Sequence, residues 1–501
     1  MGISTWLLML VTHPLEFRTL LQYHIYHEQK RDITAKQEHP TSGWDRASMR
    51  RCWEFLDMTS RSFSAVIKEL EGDLARTICL FYLVLRALDT IEDDMTLPSS
   101  VKQPLLRNFH INTVTPGFSF DGSGPDEKDR QLLVEYPVVV EELGLLPESY
   151  REAIVSITAK MGVGMADFAA RAENEKLASG VDSIAEYDLY CHYVAGLVGE
   201  GVSLLFAASG KEAAHLAHQL ELSNSMGMLL QKTNITRDFR EDVDEERYFW
   251  PREIWADPKY GGGFTRMEEM CAPPEGTLAL PGVRERAAWV QSAMVLDALR
   301  HATDALDYLR LLKNQSIFNF CAIPATMALA TLELCFMNPR MFATNIKIRK
   351  AEAASLIMRS TNPREVSYIF REFARKIHTR AVPQDPNFIR ISVACGKIEQ
   401  WCEHYYPSFV LISTTGGNAS QSIDRQDARG RTFLEQQARE AMLAKKARIE
   451  LLRSNVANGV ATKPLPQEGA LRELLMYVGG GVLIVLAMVV GLVWLIMRYS
   501  D

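Results

Sequence analysis

Two acidic segments each set a pair of aspartates four residues apart at the end of a helical pattern, Asp89 with Asp93 and Asp238 with Asp242. Positions i and i+4 of an α-helix lie on one face, so each pair forms a small carboxylate surface. The preceding residues on the same two faces are largely apolar: Phe81 and Leu85 in the first, and Met226, Leu230 and Asn234 in the second. The chain must therefore form helices whose core-facing stripes end in carboxylates.

A single aspartate pair is usually a solvated helix face or an ion-paired helix end. Two such pairs on core-facing stripes, flanked by Glu92 and Glu241, differ because like charges in a low dielectric repel and need cations between them. Magnesium suits all-oxygen ligand sets and commonly binds through one or two carboxylates together with substrate phosphates. The pattern predicts Mg2+ and a diphosphate ligand.

Composition excludes some alternatives. The chain has 501 residues, 47% of them hydrophobic, which is ample for a large core. A net charge of -7 and the lack of a basic stripe argue against nucleic-acid binding. The eight cysteines form no CxxC pair, so neither a zinc site nor a disulfide framework is expected.

Helical periodicity dominates the sequence, and few alternating strand patterns occur. The predicted helices include Ser64–Leu88, Tyr150–Glu175, Ala185–Ala208, Ala213–Glu241 and Val283–Leu312. The Gly- and Pro-rich stretch 256–282 is expected to be a surface insertion. We divide the chain into an N-terminal amphipathic segment (1–36), a helical domain (37–412), a polar linker with a charged helix (413–473) and an anchor (474–497).

The anchor is a charge-free run from Leu474 to Met497. At about 1.5 Å per residue it reaches about 36 Å, enough to cross a hydrocarbon core of about 30 Å. A buried core helix of this length without charges is the less favoured alternative. Since Trp6–Val11 is too short for a signal sequence, we expect a tail-anchored protein whose bulk stays in the cytosol.

Basic residues accompany the acidic pairs. Arg61 follows two hydroxyl residues at a helix start, which fits either anion binding or an ordinary helix cap. Arg86 and Arg237 stand close to the acidic pairs and could clamp phosphate or neutralise a carboxylate. Lys347 and Arg349 form a basic patch for which a solvated face is the default interpretation.

Two aromatic residues could serve either a core or a pocket. Tyr193 lies among small residues that permit close helix packing, and its hydroxyl could guide a proton. Phe318 could be plain core, or its ring face could stabilise a carbocation.

The motifs FLDMTSRSF, FYLVLRALDTIEDDM, YCHYVAGLVG, LLQKTNITRDFREDVDEERYFWP, NQSIFNFCAIP and KIRK together resemble those of the squalene synthases, over roughly Phe55–Lys350. The resemblance implies an all-α isoprenoid (class I terpene) synthase bundle with a central cavity. It makes 37–412 a catalytic domain, expected to be monomeric, and the C-terminal span an endoplasmic reticulum anchor.

In that family two farnesyl diphosphates condense head to head to presqualene diphosphate, which NADPH reduces to squalene for sterol biosynthesis. The resemblance implies that metal ions are held by Asp89, Glu92, Asp93, Asp238 and Asp242. It assigns Tyr193 to the first half-reaction and Phe318 to the second. Diphosphate or NADPH phosphates would be bound by Arg61, Arg86, Arg237, Lys347 and Arg349. Without a GxGxxG motif, NADPH would bind outside any Rossmann domain.

Two departures and two alternatives accompany this interpretation. Arg240 replaces a usual aliphatic residue, and we expect it to point away from Asp238 and Asp242. The stretch 260–282 lies outside the resemblance. A phytoene-synthase-like enzyme would share both acidic motifs but need neither the KIRK patch nor the anchor. A non-catalytic tail-anchored scaffold would leave the paired aspartates unexplained.

Overall fold

The computed structural model describes residues 9–26, 31–125, 127–174, 180–271, 282–408, 434–435 and 438–447. Within these ranges no β-strand occurs, so the predicted all-α class is confirmed. The α-helices of the main unit are α1 Pro14–Tyr26, α2 His39–Ser42, α3 Ala47–Thr59, α4 Arg61–Lys68, α5 Leu74–Asp93, α6 Ser99–Asn112, α7 Arg130–Val134, α8 Pro137–Gly144, α9 Glu148–Asn174, α10 Ile184–Cys191, α11 Leu197–Ala208, α12 Leu220–Arg237, α13 Phe239–Asp244, α14 Arg252–Trp255, α15 Val283–Leu299, α16 Ala302–Leu311, α17 Gln315–Cys335, α18 Lys350–Arg359, α19 Pro363–Arg380 and α20 Phe388–Tyr405.

Shorter helical turns connect these elements. A π-helical turn, His192–Gly196, joins α10 to α11. The 3-10 turns are Lys36–Glu38, Ala214–His218, Pro258–Tyr260, Met267–Met270 and Pro339–Phe342.

Three long predicted helices are interrupted. The pattern from Ser64 to Leu88 splits into α4 and α5, because Gly72 takes a left-handed φ of 66° between them. The pattern from Val283 to Leu312 breaks between α15 and α16. The pattern from Ala213 to Glu241 becomes a 3-10 turn, α12 and α13. Apolar periodicity continues across these breaks, so it does not reveal them.

Side-chain caps fix the starts of helices that matter for the site. Ser183 caps α10 by accepting a hydrogen bond from the Glu186 amide, and the Glu186 carboxylate accepts one from the amide of Asp182, the residue before the cap. Asn314 caps α17 by accepting from the amides of Ser316 and Ile317. Phe318 lies in the first turn of α17, and Tyr193 follows the end of α10.

Helix α12 packs against α11, α15, α16, α17 and the π-helical turn. Helix α5 packs against α3, α9 and α11, and α9 also packs along α6. Because α11 contacts both α5 and α12, the helices that carry the two acidic motifs are brought to the same part of the bundle.

Two hydrophobic clusters form the interior. The larger includes Phe81, Leu85, Leu229 and Phe318. The second gathers Tyr190, Phe239, Trp250 and residues beyond Trp255. Burying each such apolar side chain contributes about 1.5–3 kcal/mol relative to leaving it exposed.

The prediction that 256–282 is a surface insertion is wrong for 256–271, the part of it that the structure describes. Tyr260, Phe264, Met267 and Met270 are all buried in the second cluster, with exposures of 7% or less. These four side chains anchor the segment against the domain, and their irregular spacing hides them from periodicity arguments. Residues 272–281 lie outside the described ranges.

The described residues up to Ser408 group as one compact unit, and the described residues beyond it belong to a second unit. Within the described part, three segments are long and apolar enough to cross a membrane by length and composition: Glu148–Arg171, Ile184–Ala208 and Gln315–Cys335. All three make helix packing contacts inside the first unit. The predicted anchor, Leu474–Met497, lies outside the described residues.

Candidate active site

The first acidic motif occupies the last turn of α5, as predicted. Phe81 and Leu85 on the same stripe are buried, while Asp89 is partly exposed and Asp93 is exposed. The helix ends at Asp93 because the next residue, Asp94, turns its carboxylate to the amides of Thr96 and Gly124. The stripe therefore leaves the core about one helical turn before the helix ends.

The second acidic motif spans a break rather than one helix. α12 ends at Arg237 and α13 begins at Phe239, with Asp238 between them at φ -88° and ψ 10°. The Asp242 amide still donates to the Asp238 carbonyl at 2.9 Å, so the two residues keep the i, i+4 relationship. Asn234 on the predicted stripe is exposed while Asp242 at its end is buried, so the stripe does not face the core along its whole length.

Burial and mutual repulsion perturb the carboxylates of both motifs. Burial, with Asp93 and Asp129 nearby, raises the pKa of Asp89 to about 7 although Arg86 opposes the shift. Burial likewise raises the pKa of Asp242 to about 7, with Arg247 opposing. Desolvation, together with the charges of Asp93 and Asp89, raises the pKa of Glu92 well above its ordinary value. The site therefore concentrates negative charge that a cation would relieve.

Arg247 joins the two motifs, and the sequence reasoning did not single it out. Its Nη1 donates to Asp93 Oδ1 at 3.0 Å and its Nη2 to Asp242 Oδ1 at 3.1 Å. The chain reaches this position because Glu246 takes a left-handed φ of 59° after α13, and the Arg247 amide caps the Asp242 carbonyl at 2.8 Å. Glycine usually occupies that left-handed position, so the sequence carries no signal for this turn.

The predicted arginines lie beside the carboxylates. Arg237 makes a two-point contact with Asp238, through Nε at 2.8 Å and Nη2 at 2.5 Å. Arg86 lies 3.9 Å from Asp89 and 3.8 Å from Asp129, distances that leave its guanidinium loosely held. Both guanidinium groups therefore lie close enough to these carboxylates to offset their charge.

Arg240 points away from the aspartate pair, as predicted. Its Nε donates to Asp244 Oδ2 at 3.0 Å, one turn further along α13. The second motif is instead contacted by Asn345, whose amide donates to Asp238 at 3.3 Å and to Glu241. Asn345 is a second residue that the sequence reasoning missed, because it comes from a distant loop.

That loop continues into the basic patch. Lys347 is exposed, and Arg349 immediately precedes α18 and forms an ion pair with Glu16 of α1. Arg61 is the first residue of α4, which Ser60 caps by accepting from the Phe63 amide. The side chain of Arg61 lies outside the described part of the structure.

Tyr193 lies in the π-helical turn between α10 and α11. π-turns inside helices are frequently found at functional sites. The ring lies against Gly164 of α9, where an added Cβ would come within 2.2 Å of it. Close packing of Gly227 of α12 against the Ala195 carbonyl holds the other side of the turn. Gly164 thus packs against the tyrosine ring, and Gly227 packs against the turn that carries it.

Phe318 lies on α17 with 4% exposure, inside the larger hydrophobic cluster. Tyr193 packs against the same cluster. A cavity of about 220 Å3 opens at the acidic end, and its lining includes Glu92, Asp93, Tyr190 and Arg247. Tyr193 and Phe318 thus share the larger cluster, whereas the cavity is lined by Tyr190 of the second cluster and by neither of these two residues.

Across the described ranges, no group of three or more His, Cys, Asp or Glu side chains is arranged to hold a metal ion by itself. Magnesium bound through one or two carboxylates and completed by phosphate oxygens does not require such a group. The donor set of the two motifs fits that mode, because it is made of carboxylate oxygens under mutual repulsion.

Comparison with known proteins agrees with this geometry. Residues 56–352 match the squalene/phytoene synthase family. A squalene synthase of Ganoderma lucidum is 61% identical over 459 residues, covering 90% of this chain and 96% of the relative. One of Mycosarcoma maydis is 50% identical over 461 residues, covering 90% and 78%. A solved structure of TcSQS with a ligand is 37% identical, with a TM-score of 0.65, and the match covers 72% of this chain and 99% of that one. The chain therefore belongs to the squalene/phytoene synthase family, which confirms the predicted resemblance.

Proposed function

We propose that this protein condenses two farnesyl diphosphates head to head to presqualene diphosphate and reduces that product to squalene. The observation that carries the proposal is the meeting of the two acidic motifs at one guanidinium, Arg247, within 3.0 Å of Asp93 and 3.1 Å of Asp242. Two substrates of the same kind call for two adjoining diphosphate sites. The relatives from Ganoderma lucidum and Mycosarcoma maydis are both named squalene synthase, which supports the reductive second step.

Asp89, Glu92 and Asp93 on one side and Asp238 and Asp242 on the other would hold magnesium. When bound, magnesium neutralises the charge that develops on a departing diphosphate. The carboxylates fit this role because burial raises the pKa of Asp89 and of Asp242 to about 7 even with Arg86 and Arg247 beside them, so a further cation would stabilise their ionised forms.

Arg86, Arg237 and Arg61 would bind the diphosphate oxygens. The forked guanidinium of Arg237, now paired with Asp238, can present two parallel N–H groups to a phosphate. Within the described part of the chain, Arg86 lies 3.9 Å from Asp89 and bonds the Tyr82 hydroxyl at 3.2 Å, so its rearrangement would break few short bonds. These donors stabilise the leaving group as the allylic C–O bond breaks.

The aromatic and apolar wall would protect the carbocation and direct its fate. Tyr193, fixed against Gly164, would assist proton removal in the first half-reaction. Phe318, almost fully buried, would face cationic charge in the second half-reaction. Excluding water matters here, because water would capture the cation as an alcohol.

The reduction requires NADPH, which supplies a hydride to the rearranged cation when bound. Lys347 and Arg349 would bind its phosphates. Among the described residues, the ion-pair partner of Arg349 is Glu16. A phosphate could replace this carboxylate. Lys347 is exposed and available to the same ligand.

We further propose that the protein works as a monomeric catalytic domain on the cytosolic face of the endoplasmic reticulum, anchored through 474–497. The charge-free run at that position supports this assignment. Its product is apolar, so release next to a bilayer gives squalene an immediate solvent.

The full-length protein in detergent, incubated with farnesyl diphosphate and Mg2+, tests the activity. We expect presqualene diphosphate without NADPH and squalene with it. Phytoene from geranylgeranyl diphosphate, with no product from the farnesyl substrate, would favour the phytoene-synthase-like alternative. No product from either substrate would favour the scaffold.

A further inference from the structure

Arg247 serves carboxylates of both acidic motifs at once. Besides its bonds to Asp93 and Asp242, its Nη2 lies 2.8 Å from Glu245. The guanidinium thus binds carboxylate oxygens of Asp93 and Asp242 that could otherwise coordinate a metal ion. A divalent cation arriving there meets a fixed positive charge beside its ligands.

The arginine also has an unused donor. Its Nε is buried and has no hydrogen-bond partner among the residues that the structure describes. The side chain is 24% exposed and lines the 220 Å3 cavity at the acidic end. Burying a donor without an acceptor is costly, so an acceptor supplied by a ligand in the cavity would be favoured.

We propose that Arg247 makes metal loading depend on diphosphate. Before substrate binds, the guanidinium neutralises Asp93 and Asp242 and holds the two motifs together. When diphosphate enters, its oxygens accept hydrogen bonds from the N–H groups of Arg247. The carboxylates of Asp93 and Asp242 are then released and can bind magnesium. This inference rests on the proposed function, because diphosphate is the ligand that draws the arginine away.

The chemistry of the groups supports this exchange. A planar guanidinium binds carboxylate and phosphate in the same forked geometry, so one acceptor can replace the other. Diphosphate also adds the negative charge needed to keep Arg247 and a divalent cation in one small site. Metal ions and substrate would therefore enter together.

Binding of Mn2+, a paramagnetic substitute for magnesium, tests the proposal in the full-length protein. Free Mn2+ is measured by electron paramagnetic resonance, with and without inorganic diphosphate, for wild type, Arg247→Gln and Arg240→Gln. Arg240→Gln is the matched control, because it removes the same charge a few residues earlier in the chain but releases Asp244, which is not one of the predicted metal ligands.

Without diphosphate, we expect Arg247→Gln to bind Mn2+ about tenfold more tightly than wild type, and Arg240→Gln to match wild type. The increase in Mn2+ affinity caused by diphosphate should shrink about tenfold in Arg247→Gln. Equal or weaker Mn2+ binding by a folded Arg247→Gln variant overturns the proposal.

A second variant covers a folding failure. Arg247→Lys keeps the charge but loses the forked pair of donors, so its Mn2+ affinity without diphosphate should fall between wild type and Arg247→Gln. If Arg247→Lys folds and Arg247→Gln does not, the Lys variant decides the test. A Mn2+ affinity of Arg247→Lys no tighter than that of wild type, measured without diphosphate, then rejects the proposed exchange of carboxylate for diphosphate. Product assays run in parallel separate the two claims: squalene formation by wild type with no gain in Mn2+ affinity rejects only the role of Arg247, and the gain without product rejects only the proposed reaction.

Discussion

Asp93 and Asp242 are held by one guanidinium, that of Arg247, at 3.0 and 3.1 Å. The first aspartate ends α5 and the second lies in α13, so a single side chain ties together helices that are distant in sequence. Each acidic motif alone could be a solvated helix end. Their meeting makes them two sides of one site.

Replacing Asp89 or Asp238 with Asn should lower the rate of presqualene diphosphate formation by about 100- to 1,000-fold, because each change removes charge that holds the cations at the leaving group. Formation is measured from farnesyl diphosphate without NADPH. Asp244→Asn is the control, since Asp244 is exposed and pairs with Arg240. Full activity of both Asp89→Asn and Asp238→Asn would remove the metal role assigned to the motifs.

Replacing Phe318 with Leu should slow the second half-reaction more than the first. Leucine keeps the buried position apolar but removes the ring face that stabilises a cation. We expect presqualene diphosphate to accumulate in the presence of NADPH, measured as its ratio to squalene. Phe320→Leu, in the same helix but packed edge-on against Phe206, should keep the wild-type ratio. An unchanged ratio in Phe318→Leu would contradict the assignment.

Replacing Lys232 with Met should destabilise the protein by about 3–5 kcal/mol, the cost of breaking a buried ion pair from one side. The Lys232 side chain is fully buried and donates to both Asp188 and Asp297. Denaturant unfolding measures the loss. Lys376→Met, which breaks an exposed pair with Glu372, should cost no more than about 0.5 kcal/mol. Similar losses in the two variants would show that the buried network contributes little.

His301 should make folding sensitive to acid. Burial, followed by the positive charges of Lys232 and Arg300, lowers the pKa of His301 from 6.5 to about 3. Between pH 6.5 and about pH 3, His301 is protonated in the unfolded chain but not in the folded protein. The stability is therefore retained above about pH 6.5 and falls as the pH drops below that value.

The comparison of thermal unfolding midpoints on either side of pH 6.5 isolates this effect. On acidification, the unfolding midpoint of wild type should fall further than that of His301→Gln, because glutamine cannot take up the proton. His378→Gln, at an exposed position, is the matched control and should follow wild type. Parallel pH profiles for wild type and His301→Gln would refute the prediction.

The sequence predicted what depends on local periodicity. The stripe from Phe81 to Asp89 and Asp93 follows from helical spacing, and the fold class and family follow from the helical pattern and the motifs. It did not predict the break at Asp238, because apolar spacing runs on through the irregular residue. It also missed Arg247, whose position depends on a left-handed turn at Glu246 rather than at glycine. Tertiary contacts, not local preference, set both features.

The buried part of the insertion was missed for a related reason. Phe264, Met267 and their neighbours pack as isolated anchors from irregular backbone, so neither a helical nor a strand period marks them. Glycine and proline content indicated a loop correctly but not its burial. Composition reports backbone freedom better than it reports packing.

The most direct measurement is an experimental structure of the full-length protein with Mg2+ and a non-hydrolysable farnesyl diphosphate analogue. We predict metal ions that contact diphosphate oxygens together with at least one aspartate of each motif, Asp89 or Asp93 and Asp238 or Asp242. Diphosphate bound away from both motifs, or metal ions that touch neither aspartate pair, would contradict the account.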